Sequence, residues 1–82
     1  MQEELSPLSP LELCINLVNA KIGHYRRAKF LSSRNLPQLF NEIVIEARKH
    51  SAVWDQYVSY TKSHSGRDKE LIELVNSVSN RL

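Results

Sequence analysis

Apolar residues recur along this chain at spacings of three and four, the signature of amphipathic helices. Leu11, Cys14, Ile15, Val18 and Ile22 form the first such face, and Leu13 and Leu17 widen it. Ser9-Pro10-Leu11-Glu12 marks its start. Ser9 can cap, Pro10 suits the first helical position, and Glu12 stands three residues after the cap. Leu36, Phe40, Ile43, Val44 and Ala47 form a second face, flanked by Leu39. Val53, Trp54, Tyr57, Val58 and Thr61 form a third, with Ser51 as its expected cap. Leu71, Leu74, Val75, Val78 and Leu82 form the cleanest stripe of all, widened by Ile72.

Breaks separate these faces. Ser32-Ser33-Arg34-Asn35-Leu36-Pro37 combines cap formers with a proline, and the residue before a proline avoids helical geometry. Ser63-His64-Ser65-Gly66 reads as a loop, and Ser65-Gly66-Arg67-Asp68 as a cap followed by an acid at the next helix start. Gly23 leaves two readings open. Either one helix runs from Pro10 to about Leu31, or Gly23 supplies a turn; the second is slightly preferred because glycine costs about 1 kcal/mol inside a helix. Ile43-Val44-Ile45 is β-branched, but its flanks are helical and it lacks turn signals. The expected fold is all-α: a compact single-domain bundle or orthogonal array of four to five helices over residues 9–82. A flexible acidic Ser-Pro arm, residues 1–8, precedes it.

Gly23-His24-Tyr25-Arg26-Arg27-Ala28 resembles the inter-helix turn of a tetratricopeptide hairpin. There a glycine, an aromatic two residues later and a small residue five later recur. The likeness covers about six residues, the family's tryptophan is not at its usual place, and no second copy follows at the repeat period. It implies local helix-hairpin chemistry, and no family is assigned on it. A DNA-reading helix-turn-helix fits less well, because Asn19 stands where that motif carries a small residue, and Lys29 and Ser32 where it carries apolar ones.

Charge adds one feature to this picture. The 82 residues carry a net charge of +2, unevenly spread. Lys21, Arg26, Arg27, Lys29 and Arg34 fall within fourteen residues that hold no acid. A focused positive patch attracts even when net charge is modest. On a helix, Arg26 and Lys29 would share a face, with Tyr25, Ala28 and Leu31 turned inward and Phe30 at one border.

Little points to catalysis. His24, His50 and His64 lie in or beside polar segments, and none is expected to pair with a carboxylate at short helical spacing. Cys14, the one cysteine, is expected as a buried reduced thiol, which fits a reducing intracellular compartment, the cytoplasm first. No signal peptide or membrane span is expected. One cysteine and three scattered histidines do not match a structural zinc site, and two glycines make no phosphate-cradling loop. No catalytic, metal or cofactor residue is therefore assigned.

The expected function is a non-enzymatic protein–protein interaction module, a small adaptor or regulator. The expected partner-binding residues are the ridge of Lys21, Arg26, Arg27, Lys29 and Arg34, the aromatic Tyr60, and Leu71, Leu74 and Val78 of the C-terminal stripe. A protein partner comes first. A homodimer is a further expectation, since a partner helix would finish a thin core. A nucleic-acid-binding regulator using Lys21 to Arg34 is the alternative.

Overall fold

A computed structural model describes residues 9–82; the acidic Ser-Pro arm, residues 1–8, lies outside the described residues. Four helices follow one another: α1 (Pro10–Phe30), α2 (Leu36–Lys49), α3 (Trp54–His64) and α4 (Lys69–Asn80). A single 3-10 turn, Ser51–Val53, leads into α3. No strand occurs among the described residues. The all-α expectation holds.

The start of α1 follows its sequence signal. Ser9 Oγ accepts a hydrogen bond from the Glu12 amide at 3.2 Å, and Glu12 Oε1 accepts from the Ser9 amide at 3.1 Å. This reciprocal box satisfies two helix-end donors. The helix then runs unbroken through Gly23 to Phe30, so the turn expected at Gly23 is absent. Gly23 has an ordinary negative φ. Burial of Cys14, Val18, Ile22 and half-buried Tyr25 along one continuous face outweighs the local cost of one glycine.

The end of α1 is built differently from the sequence expectation. The Ser32 amide donates to the Lys29 carbonyl and the Ser33 amide to the Ala28 carbonyl. Those two bonds make a Schellman ending with Ser32 in the left-handed region, φ 57°. Glycine is the usual occupant, so the serine carries steric strain here.

Three later starts also differ. Asn35 stands at the N-terminus of α2 without a side-chain cap, while Ser33 Oγ accepts from the Asn35 amide. Ser51 opens the 3-10 turn and does not cap α3. At α4 the cap is Asp68, whose Oδ1 accepts from the Leu71 amide at 3.0 Å; Ser65 closes α3 instead.

The core lies between α1 and α2, whose packing is the most extensive in the fold, with α3 against α1 and α4 against α2. Cys14, Val18, Ile22, Ile43, Val44, Ala47, Trp54, Tyr57, Leu74, Val75 and Val78 are its buried members. Each large aliphatic there contributes about 1.5–3 kcal/mol through burial. Trp54 and Tyr57 stack at 4.9 Å, and their polar tips are satisfied: Trp54 Nε1 donates to Ser79 Oγ, Tyr57 Oη to Asn19 Oδ1. Leu13 and Leu17, expected to widen the buried face of α1, are 41% and 40% exposed. They sit on the rim because the neighbouring helices cover α1 on one side only.

Candidate interaction surface

The basic segment lies along the second half of α1 and the turn after it. Three of its five cations meet acids from distant parts of the chain. Arg26 Nη1 donates to Asp68 Oδ2 at 2.9 Å, and its Nη2 lies 3.3 Å from Glu70 Oε1. Lys29 Nζ reaches Glu70 Oε2 at 3.3 Å. Lys21 Nζ lies 3.7 Å from Glu42 Oε1. The ridge is thus largely a seam fastening α1 to α4 and α2. Exposed ion pairs of this kind stabilise modestly, about 0–1 kcal/mol each.

Asp68 is central to that seam. The Leu71 amide and then the Arg26 guanidinium hold its carboxyl below the usual aspartate range. One carboxylate caps α4 and grips α1 together.

Arg27 and Arg34 remain. Both are exposed, and neither forms an ion pair among the described residues. Phe30 and Leu31 lie between them in sequence and are 87% and 67% exposed. Leu31 was expected to turn inward with Tyr25 and Ala28; the Schellman ending carries the chain away before any helix covers it. Arg26, Arg27, Lys29, Phe30 and Glu70 line a shallow depression at this end. A bare phenylalanine beside Arg27, with Arg34 following in sequence, is the feature of this surface least explained by the fold itself.

The C-terminal stripe faces the core. Val78 is fully buried, Leu74 nearly so, and Leu71 packs half-buried against the core. These three expected contact residues are occupied within the chain. Tyr60 is the exposed member of its aromatic group, as expected, stacked on His64 at 4.1 Å and lining a groove with Glu12, Ile15 and Asn16.

One pair escaped the sequence reading. His50 was expected at the surface without a carboxylate. Instead its Nε2 lies 2.8 Å from Glu46 Oε2, one helical turn back, with both side chains about nine-tenths buried. The Glu46-x-x-x-His50 spacing was the available signal. Cys14 belongs to the same interior: burial pushes its thiol up to about 11, and the charge of Glu46 adds to the rise. A thiol so held is protonated at neutral pH and is a poor nucleophile. Among the described residues, no group of three or more His, Cys, Asp or Glu side chains could hold a metal ion. No helix there is long and apolar enough to cross a membrane.

No family model matches this chain. Neither a curated protein nor a solved structure matches it. The functional reading therefore rests on the surface itself.

Proposed function

We infer that this protein is a non-enzymatic interaction module, an adaptor or regulator, that binds a protein partner through the C-terminal end of α1. The observation that carries the reading is the exposure of Phe30 beside Arg27, with exposed Arg34 four residues further along the chain; neither arginine has an ion pair among the described residues. Aromatic and arginine side chains dominate binding hot spots because they combine large contact area with directional polar groups. The complementary partner is an acidic segment carrying an apolar side chain. Its carboxylates would meet Arg27 and Arg34, and its apolar group would cover Phe30. The C-terminal stripe has no part in this reading, since Leu74 and Val78 are buried.

Nucleic acid is the second reading, favoured by the same phenylalanine, on which a base could stack. It is weakened by Asp68 and Glu70. These carboxylates lie among Arg26 and Lys29 and oppose a phosphate backbone.

Fluorescence titration tests the two together, with acidic amphipathic peptides and with mixed-sequence single-stranded DNA and RNA at low and moderate salt. Peptide binding lost in Phe30→Ala and in Arg27→Glu/Arg34→Glu supports the protein-binding reading. Steeply salt-dependent nucleic-acid binding lost in the same variants replaces it with the second. Peptide binding indifferent to all three substitutions refutes the assignment of the site.

A further inference from the structure

A second face of α1 also lacks a cover among the described residues. Leu13, Leu17, Ala20, His24 and Leu31 recur at intervals of four, three, four and seven. At about 100° per residue they fall within about 60° of one another. All five are exposed, and they lie away from the face of Cys14, Val18 and Ile22 that meets the core. Alternation of three and four along an outward helix face is the pattern by which one helix seats against another.

We propose that this face is where a second copy of the chain docks, with the two α1 helices antiparallel. Charge selects both the occupant and the direction. Glu12 lies at the N-terminal end of α1, and Arg27 and Arg34 lie at or beyond its C-terminal end. A parallel pair would set acid beside acid and arginine beside arginine. An antiparallel pair sets Glu12 of each copy towards the basic end of the other, and like charges then stay apart. Ala20 lies near the midpoint, where two such helices cross, and Gly23, about 60° round from it, borders the seam. The fold makes no use of Gly23, since a Cβ added there would meet nothing within 4 Å. Small residues at a crossing let two helix backbones approach closely.

The face of one helix about 30 Å long is a small interface. The dimer is accordingly weak, with a dissociation constant on the order of micromolar or above, and it forms and parts with concentration. This pairing goes beyond the reading of the Phe30 end. Phe30 points about 100° away from Leu31 around the helix, on the charged rim that Glu12 shares, and has no part in the apolar centre of the seam.

Sedimentation equilibrium of the full chain from low to high micromolar concentration is the test. A reversible monomer–dimer equilibrium is expected for the wild type and for Phe30→Ala. Ala20→Glu, a good helix former at an exposed position, should weaken it at least about tenfold while circular dichroism stays unchanged. Mild oxidation fixes the orientation. Ala20→Cys should cross-link to itself near the crossing, while Leu13→Cys, at opposite ends of the pair, should not. A wild type that stays monomeric throughout overturns the proposal and leaves the seam to a different protein. A dimer that survives Ala20→Glu, or self-cross-linking at Leu13→Cys, overturns it equally.

Discussion

Gly23→Ala tests the continuity of α1, and with it the frame on which both surfaces stand. Gly23 lies in the interior of a 21-residue helix with ordinary helical φ, and nothing lies within 4 Å of an added Cβ. The added methyl meets no clash and buries no partner. What changes is the chain's own preference: alanine is favoured over glycine inside a helix by about 0.8–1 kcal/mol. For a domain of this size that corresponds to a rise in Tm of roughly 4–8 °C. Urea and thermal melts followed by circular dichroism, at low micromolar concentration so that monomer dominates, measure it directly. Ala20→Gly, one turn away on the same exposed side, is the reciprocal control and should lower stability by a similar amount. The competing geometry has the opposite sign. A turn at Gly23 would place it in the left-handed region, where alanine is strained and the substitution destabilises by more than the helix gain. A fall in Tm for Gly23→Ala, or no change, would refute the continuous helix.

Further outcomes follow from the interior and the seam. Cys14 should resist a thiol reagent at mildly alkaline pH and react at once in denaturant; fast labelling of the native protein would contradict its burial. Burial raises both Cys14, to about 11, and Tyr57, to about 12, above their ordinary values of 9.0 and 10.0. Their contribution to stability is thus intact below those ordinary values and lost as pH rises towards 11–12, a loss that Tyr57→Phe should reduce in alkaline melts. Asp68 is shifted downward from 3.8, so its contribution is present above that value and disappears as pH falls below it. The urea midpoint of Asp68→Asn should therefore drop less on acidification than that of the wild type. His50→Ala leaves the Glu46 carboxylate buried without its imidazole and should cost about 1–3 kcal/mol in urea melts. Replacing both by leucine should cost less than the single change.

The parts of this molecule that were legible in its sequence are those governed by neighbours along the chain. The capping box at Ser9 and Glu12 and the stripe of α4 needed only spacing of a few residues. Gly23 misled because local propensity speaks for a break, whereas the packing of Cys14, Val18 and Ile22 on one face decides for continuity. The basic ridge misled for a related reason. Its cations are contiguous, but the acids that meet them, Asp68 and Glu70, lie about forty residues away and are brought close only by the placing of α4. Glu46 and His50 were within reach, one turn apart, and were passed over because neither looks like a core residue. Exposure of Phe30 was not legible at all, since it depends on a helix ending that uses serine where glycine is usual.

The last helix is fastened at both of its ends to different parts of the fold. Asp68, at its start, holds Arg26 of α1. Arg81, just past its end, lies over the Phe40 ring of α2 at 5.6 Å and accepts a hydrogen bond from Arg48 on its carbonyl. Between these points Leu74, Val75 and Val78 fill the core. A segment anchored in this way does not fray inward from the terminus. Its amides should exchange with solvent at the pace of whole-molecule unfolding. Labels or insertions placed inside it would act on the stability of the entire domain, while the exposed turn after Phe30 would tolerate them.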